Sequence, residues 1–415
     1  MSRTDGDSPE PDRLLTPADG DPVDGSAMTV LHVSHTAQPG GAELALVRLL
    51  SQQRRHWLAR LCAPDNGTAF DRLAAHGVEL ERNLPALPTG GTRGGSLLLA
   101  ARYLRALQAG AGVLGRSRLF QDADLVHANT AAAAICAAFA DRGGAKPLVV
   151  HLRDLVTTDS LGRFGFRAFT RIALGRADGV VANSRTTLAS AEQWLRPGLP
   201  RMVIQSPVGI DRRVTAPRPD AAVRRIGMVG RLQRWKGQHV FLRAFALAFR
   251  GTDVRARIAG APLFAETAYE NEIRRLVAEL GIADQVDLLG HVDDVPGFLD
   301  SVDILVHAST RPEPLGQTVI QGLARALPIV ATEGGGPGEW IRPGVNGLLV
   351  PPNDPEALGQ ALLRLADSTE LRAGLAAGAA ATPGIRTDEE CRAHHAGFFR
   401  AVWQARRDAG WKEAG

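Results

Sequence analysis

The chain has 415 residues, 48 of them basic and 44 acidic, which gives a formal net charge of +4. That length exceeds what one hydrophobic core usually organises, so two domains of similar size are expected. Aromatic residues make up only 5% of the chain, and so mild a basic excess argues against a nucleic-acid partner. No apolar run approaches the roughly 20 residues of a membrane span. Because the N-terminus is acidic and Pro-rich, unlike a signal peptide, we expect a cytoplasmic protein.

The first half of the chain predicts a doubly wound domain over residues 28–210, after a disordered tail at residues 1–27 that is rich in Asp, Pro and Gly. Short apolar runs alternate with helical stretches there, which is typical of parallel strands with right-handed crossovers. The predicted strands are 29–33, 58–62, 125–128, 148–151 and 179–182, and the helices include 42–50, 70–76 and 97–107. The Gly- and Arg-rich segments 88–96 and 109–117 are interpreted as surface loops or, alternatively, as a lid over an acceptor.

A Pro-rich linker at residues 211–222 precedes a second domain of the same kind over residues 223–385. Its predicted strands are 226–229, 255–260, 286–289, 303–307, 328–331 and 348–350, with a helix at 238–249. The C-terminal segment 386–415 contains a helix at 388–407 that can cross back to the first domain. Two such domains leave a cleft between their strand ends, which is the usual place for a ligand.

The cysteines predict neither redox nor zinc chemistry. Cys62, Cys136 and Cys391 lie far apart in apolar or helical contexts, which is typical of buried reduced thiols. No metal site is expected. The Ala-, Gly- and Arg-rich composition indicates a bacterial source of high GC content.

The most informative motif is Glu313-Pro-Leu-Gly-Gln-Thr-Val-Ile-Gln321, which is followed by three glycines at 334–336. It comes after a buried predicted strand and opens a predicted helix at 318–326. Its loop therefore lies at the carboxyl end of a strand. There the unpaired N–H groups of a helix and its dipole face outward and favour a polar, anionic ligand such as a sugar nucleotide.

Two further motifs follow the first strand of each domain. Residues 230–237, Gly-Arg-Leu-Gln-Arg-Trp-Lys-Gly, supply the planar fork of Arg231 and the point charge of Lys236, which suit a diphosphate; the alternative is a solvated basic loop. Residues 40–43, Gly-Gly-Ala-Glu, open the first helix with N–H groups for an anion or a sugar hydroxyl. A turn that needs positive φ would give the same Gly pair.

With His151, which ends a predicted strand and is expected to point into the cleft, these motifs resemble the retaining glycosyltransferases of family 4. The resemblance covers residues 29–407. It implies an α/β chain with the GT-B fold, in which two Rossmann-like domains face each other across the cleft. It also implies transfer of a sugar from a nucleoside diphosphate sugar, with retention at the anomeric carbon and with neither a metal nor another cofactor.

The resemblance assigns roles residue by residue. Arg231 and Lys236 would neutralise the donor diphosphate, Glu313 would accept hydrogen bonds from the donor sugar, and His151 would lie near the reacting sugar; these four form the implied catalytic set. The other implied donor-binding residues are Gly40, Gly41, Gly230, Val292, Leu315, Gly316, Gln317, Thr318 and Gln321. The implied acceptor-side residues are Glu43, Arg153 and Asp154.

One position departs from the family pattern. The family's second Glu, which grips the ribose hydroxyls, is replaced here by Gln321, eight residues after Glu313. Gln keeps an acceptor and loses the charge, so ribose binding is expected to survive with weaker hydrogen bonds.

The leading hypothesis is a glycosyltransferase that uses a UDP- or GDP-sugar. Its acceptor would be a small natural product such as an antibiotic scaffold or, alternatively, an envelope lipid or polysaccharide precursor. Two other interpretations are a GT-B epimerase acting on UDP-GlcNAc and a non-catalytic sugar-nucleotide binder. The basic amphipathic stretch 163–174 either packs on the first domain or makes a weak contact with an anionic membrane.

Overall fold

The computed structural model describes residues 28–51, 56–87, 97–213, 222–262 and 267–409. The expectations for residues 1–27 and 88–96, and for most of the linker at 211–222, lie outside the described residues. The rest of the chain forms two α/β domains, each built on a parallel sheet, as the sequence predicts.

The first sheet is wound in two directions from its centre. Its strands are β1 (Thr29–Val33), β2 (Leu58–Pro64), β3 (Glu79–Leu84), β4 (Leu125–Ala128), β5 (Leu148–Leu152), β6 (Gly179–Ala182) and β7 (Arg201–Val203). Their order is β3-β2-β1-β4-β5-β6-β7, and every pairing is parallel. In β5, Leu148, Val150 and Leu152 pack into the core on one face and Val149 into the core on the other. Burial on both faces explains why these strands are apolar along their length.

The second sheet repeats the plan with six parallel strands. They are β8 (Arg225–Val229), β9 (Arg255–Ala259), β10 (Val286–Gly290), β11 (Ile304–His307), β12 (Ile329–Thr332) and β13 (Leu348–Val350). The order is β10-β9-β8-β11-β12-β13. Ile304 and Val306 of β11 face one core and Leu305 faces the other.

Helices cover both faces of each sheet. In the first domain they are α1 (Gly41–Leu50), α2 (Leu97–Arg116), α3 (Arg118–Gln121), α4 (Ala131–Ala140), α5 (Thr158–Ala168, interrupted at Gly162), α6 (Leu174–Arg176) and α7 (Arg185–Ala191). Those that follow are α8 (Gln238–Phe249), α9 (Thr267–Glu279), α10 (Val295–Asp300), α11 (Gln317–Ala324), α12 (Pro337–Trp340), α13 (Pro355–Asp367), α14 (Thr369–Ala380) and α15 (Asp388–Asp408). Short 3₁₀ turns occur at Leu73–His76, Glu192–Trp194 and Arg234–Lys236, and a π turn spans Phe169–Ala173.

Two expectations about the first domain are wrong. The segment 109–117 is not a loop, because α2 continues through Arg116. A Cβ placed on Gly110 would lie 2.6 Å from Leu87, so this glycine permits close packing rather than a turn. The helix expected at 70–76 is a single 3₁₀ turn. Strands β3 and β7 were not predicted, because both lie at or near a sheet edge, where burial is incomplete and the sequence is less apolar.

The last helix, α15, packs against the first domain although it follows the second in sequence. Phe398, Phe399 and Val402 lie in the same buried cluster as Val30 and Val149 of the first sheet. This crossing ties the end of the chain to the domain in which it begins.

The stretch 163–174 packs on the first domain with its arginines at the surface. Phe169 and Leu174 are buried in the core, whereas Arg163, Arg167 and Arg171 are exposed. Within the described residues, no helix combines the length and apolar character that crossing a bilayer requires.

Candidate active site

The residues with chemistry collect at the carboxyl edges of both sheets, beside the point where strand order reverses. In the first sheet this point lies between β1 and β4, and in the second between β8 and β11. Open α/β sheets bind ligands at such a switch point, because the loops on either side diverge and leave a crevice. The two crevices supply the two halves of the candidate site.

Glu313 is the centre of the second-domain half. Its side chain is 5% exposed, and its Oε1 accepts a hydrogen bond from Lys236 Nζ and another from Ser309 Oγ at 2.5 Å. His307 Nε2 lies 3.1 Å from the same oxygen. Burial by itself raises the pKa of Glu313, but the charges of Lys236 and His307, with their hydrogen bonds, outweigh burial and hold that pKa well below its usual value. Glu313 is therefore an ionised carboxylate held in one place.

The glycines after β12 fix the backbone of the Glu313 loop. Gly335 pairs with Glu313 in a parallel bridge, and Gly336 N–H donates to the Glu313 carbonyl oxygen at 2.7 Å. Gly335 has φ +71°, and a Cβ there would lie 2.2 Å from that oxygen. Only glycine permits both this conformation and this approach.

The N-terminus of α11 opens beside Glu313 with unused donors. Gly316 caps the helix with φ +71°. Within the described ranges, the N–H groups of Gly316, Gln317 and Thr318 have no hydrogen-bond partner. Such amides, together with the helix dipole, form a ready site for an anion. The structure thus brings Glu313, Lys236 and this helix start together, as the motif predicts.

Arg231 is the other cation, and its hydrogen bonds involve the backbone rather than the side chain. It follows β8, and its carbonyl oxygen accepts a hydrogen bond from Gln238 Nε2 at 2.8 Å. In the part of the chain that the structure describes, its guanidinium forms no hydrogen bond or ion pair. Its charge opposes the rise that burial causes in the pKa of Glu43 and Asp154 of the first domain, so it lies near both carboxyl groups.

The first-domain half is built around Glu43. The positive-φ interpretation of the Gly pair is wrong, because neither Gly40, at φ −94°, nor Gly41 is among the positive-φ glycines. A Cβ on Gly40 would lie 2.5 Å from Glu43 Oε2, whereas one on Gly41 would meet nothing within 4 Å. Gly40 therefore makes room for the carboxyl group, and Gly41 leaves open space. Burial raises the pKa of Glu43 to about 7.

Residues one or two positions after β1, β4 and β5 complete this half. Arg153 is buried, and it donates to Asn129 Oδ1 at 2.8 Å and to Ser206 Oγ at 3.0 Å. Asp154 beside it is exposed. His35 lies 3.8 Å from Glu43 Oε1 and pairs with Thr130 Oγ1 at 2.9 Å. His35, Asn129 and Thr130 escaped prediction, although each lies within two residues of the end of a central strand.

His151 does not point into the cleft, contrary to expectation. It lies inside β5 rather than after it, so its ring is on a face of the sheet. It is 1% exposed, and its Nδ1 lies 3.1 Å from His127 Nε2. His127 Nδ1 in turn lies 2.8 Å from His32 Nδ1. The ring of His395 on α15 is 5.5 Å from that of His151. This buried histidine row lies between the sheet and the last helix.

Of the remaining residues that the resemblance assigns to donor binding, some lie at the site and others pack beneath its loops. Gly230 directly precedes Arg231, and its carbonyl lies 1.9 Å from where Gly260 would carry a Cβ. Leu315 is buried in a second-domain core and Val292 packs against that core, so both support the loops from below. Gln321 is 4% exposed, and its Nε2 donates to the Val208 carbonyl oxygen at 2.9 Å. Its amide thus joins α11 to the end of the first domain.

The described residues include no group of three or more His, Cys, Asp and Glu side chains placed to hold a metal ion. Cys62, Cys136 and Cys391 are buried free thiols, as expected. The positive groups Arg231 and Lys236 and the free helix amides are the features of this cleft that suit a polyanion.

Comparison with known proteins agrees with this architecture. A model of Glycosyltransferase Family 4 matches residues 39–212, and a model of Glycosyl transferases group 1 matches residues 216–381. D-inositol 3-phosphate glycosyltransferase 1 of Catenulispora acidiphila is 30% identical over 292 residues, which are 63% of this chain and 69% of that protein. The lipopolysaccharide core biosynthesis glycosyltransferase LpsE of Rhizobium meliloti is 30% identical over 171 residues, 41% of this chain. That match spans only 46% of LpsE, about half its length.

A solved structure covers almost the whole chain. The crystal structure of HepE from Anabaena, in complex with UDP and glucose, superposes with a TM-score of 0.69 and 26% identity. The superposition covers 92% of this chain and 99% of HepE. The two family models fall on the two sheets in turn, and the motifs they span are those that meet at the cleft. The chain therefore belongs to the group 1, family 4 glycosyltransferases and has their GT-B fold.

Proposed function

We propose that the protein transfers a sugar from a UDP- or GDP-sugar to a hydroxyl group of an acceptor, with retention at the anomeric carbon and without a metal ion. One observation carries the proposal. An ionised, buried carboxylate, Glu313, lies between a cation, Lys236, and the free amides at the start of α11. A sugar joined to a diphosphate needs an acceptor for its hydroxyls and positive groups for its phosphates, side by side.

In this mechanism the chain's own charges stabilise the leaving group. Arg231 has an unpaired guanidinium facing the cleft, and Lys236 exchanges its bond to Glu313 for a phosphate oxygen. Negative charge grows on the diphosphate as the glycosidic bond breaks, and fixed cations and amides there lower the barrier. Glu313 orients the sugar through its hydroxyls. The departing phosphate accepts the proton of the attacking hydroxyl, so no separate base is required.

The related proteins suggest which substrates to test first. HepE contains UDP and glucose, which makes UDP-glucose the first donor to examine. The two relatives are named for inositol phosphate and for the lipopolysaccharide core, which favours an acceptor with many hydroxyls. The polar first-domain half, with Glu43, Arg153 and Asp154, fits such an acceptor. A natural-product scaffold is the second acceptor class to include.

A thermal-shift panel with UDP, GDP, UDP-glucose and GDP-mannose tests donor binding directly. A ligand at 100 times its Kd adds about 2.7 kcal/mol of stability, which is easily measured as a rise in melting temperature. If none of these compounds raises the melting temperature, the proposal is wrong. A rise without any turnover would favour the non-catalytic binder, and release of free UDP from UDP-GlcNAc alone would favour the epimerase.

Turnover assays with an acceptor panel then separate the finer claims. The anomeric configuration of the product, read by NMR, tests retention. Activity in EDTA should match activity in magnesium, because Arg231 and Lys236 take the place of a metal. A tenfold loss in EDTA that magnesium restores would contradict that role.

A further inference from the structure

The loop that carries Glu313 is held from the opposite domain. Ser184 and Thr187 lie at the start of α7, just after β6 of the first sheet. Ser184 Oγ and Thr187 Oγ1 both donate to the carbonyl oxygen of Pro314, at 2.5 and 3.0 Å. Pro314 is the residue that follows Glu313. Two first-domain hydroxyls therefore fix the backbone next to the carboxylate of the second domain.

A second contact joins the same helix to the glycine loop. Glu339 of α12 accepts hydrogen bonds from Arg185 N–H at 2.9 Å and from Thr186 N–H at 2.6 Å, and Thr186 Oγ1 donates to it at 2.5 Å. The first amides of a helix lack partners within the helix, and a carboxylate there also meets the positive end of the dipole. Glu339 of the second domain thus provides hydrogen-bond acceptors for the first amides of α7.

The two contacts act on one unit. Gly336 N–H donates to the Glu313 carbonyl oxygen at 2.7 Å, so the loops that carry Pro314 and Glu339 are bonded to each other. Ser184 and Thr187 are buried, whereas Glu339 lies exposed at the rim. A buried hydroxyl that loses its acceptor is destabilising, so the inner bonds favour the arrangement in which Ser184 and Thr187 contact Pro314.

We propose that Ser184, Thr187 and Glu339 form a latch between the domains that positions the Glu313 loop for sugar transfer. The latch bonds join different domains, so in this proposal they form as the cleft closes and break as it opens. Closure then orders the loop that holds the donor sugar, and opening releases it. The inference rests on the proposed function for its kinetic consequence, whereas the latch itself is a property of the chain without substrate.

The variant Glu339→Gln tests the outer contact. The amide NH₂ would replace one carboxylate oxygen, so it would face the N–H donor of either Arg185 or Thr186, and the charge at the helix start would be lost. Glu339 is exposed, so the change should leave both domains folded. The matched control is Glu279→Gln, an exposed glutamate on α9 that forms no hydrogen bond or ion pair with the described residues of the first domain.

Hydrogen exchange followed by mass spectrometry reads the latch without any substrate. We expect exchange to rise about tenfold in residues 184–191 and 313–318 of Glu339→Gln and to stay unchanged in Glu279→Gln. Turnover of UDP-glucose should fall about tenfold in kcat, while the Kd for UDP changes less than about twofold. Unchanged exchange in both segments, or the same rise in the control, would overturn the latch.

Thr187→Val and Thr187→Ser test the inner contact in the same assays. Valine matches the shape of threonine without its hydroxyl, whereas serine keeps the donor to Pro314. We expect the valine variant to lose kcat with little change in KM and the serine variant to restore it. Equal kcat in the two would contradict a positioning role for the hydroxyl. If wild type binds neither UDP nor GDP, the proposed function fails while the exchange data still decide the latch.

Discussion

At the scale of single residues, the site depends on one carboxylate kept ionised inside the protein. An isolated buried carboxylate would take up a proton, because burial penalises its charge. Glu313 avoids this through Lys236 and His307, which hold its pKa well below the usual value even though burial opposes them. At Glu43 in the facing domain, burial outweighs the charges of Arg153 and Arg231 and raises the pKa to about 7. Two glutamates on opposite walls of one cleft therefore differ in charge near neutral pH.

Glu313→Gln should impair turnover far more than nucleotide binding. The amide cannot accept two sugar hydroxyls as strongly as a carboxylate, whereas Arg231 and the α11 amides are untouched. We expect a loss in kcat of about 100-fold or more, of the size seen when a group that stabilises a transition state is removed. The Kd for UDP, measured by calorimetry, should change less than about threefold. Loss of UDP binding with normal turnover per bound donor would contradict the assignment.

At the scale of elements, the buried histidine row joins β1, β4 and β5 to α15. Trp57 Nε1 donates to His32 Nε2 at 3.1 Å, so the other nitrogen of that neutral ring carries the proton. With this tautomer, His32 Nδ1–H donates to His127 Nδ1. His127 then carries its proton on Nε2, which donates to His151 Nδ1. His395 donates its Nδ1–H to the Cys391 carbonyl oxygen. One set of tautomers therefore satisfies each of these contacts, provided that all four rings stay neutral.

This arrangement predicts a loss of stability in acid. Burial lowers the pKa of His32 and of His395 from 6.5 to about 3, and it lowers the pKa of His127 and His151 as well. The unfolded chain takes up protons below pH 6.5 and the native chain does not. The unfolding free energy is therefore unaffected by these histidines above pH 6.5, and it decreases as pH falls from 6.5 toward 3. The raised pKa of Glu43 has the opposite effect, because it increases the unfolding free energy as pH falls from about 7 to 4.5. It is a single group set against four histidines.

Urea unfolding at pH 8 and pH 5 measures this effect. His32 and His395 should each lower the unfolding free energy by about 2 kcal/mol at pH 5 relative to pH 8, and His127 and His151 should lower it further. His291→Asn gives a control, because it removes an exposed histidine that lies outside the buried row. Equal stability at the two pH values would show that the row can hold protons when folded.

At the scale of the whole molecule, several contacts among the described residues hold the two domains in one arrangement. The helix α15 returns to the first sheet, the latch joins α7 to the Glu313 loop, and Gln321 reaches the Val208 carbonyl. The last contact explains the departure from the family pattern. A glutamine can donate a hydrogen bond to a carbonyl oxygen, and a carboxylate cannot.

Gln321→Glu, which restores the family residue, should therefore destabilise the protein. A carboxylate oxygen would face the Val208 carbonyl oxygen in a buried setting, and we expect a loss of about 1–3 kcal/mol in unfolding free energy. Gln360→Glu on the exposed face of α13 is the matched control. A variant at position 321 that is as stable as wild type and binds UDP more tightly would show instead that this side chain serves the ribose.

The sequence by itself determined the two parallel-sheet domains and the second-domain half of the site. Central strands are buried on both faces, so their apolar runs are distinctive, and the central strands β1, β4 and β6 have the predicted bounds. Arg231 and Lys236 lie two and seven residues after β8, Glu313 lies six residues after β11, and a parallel sheet places these loops at one edge. The local sequence pattern and the sheet topology are enough to predict the two domains and the edge at which these residues lie.

Only the tertiary structure decided which side chains face the cleft and which join the elements. His151 belongs to a strand face because β5 runs one residue past it, and the partners of that face come from α15, more than 200 residues later in the chain. The contacts of Gln321 with Val208 and of Glu339 with α7 likewise join residues far apart in sequence. Strand alternation tells two faces apart, but the packing of distant helices determines what each face meets.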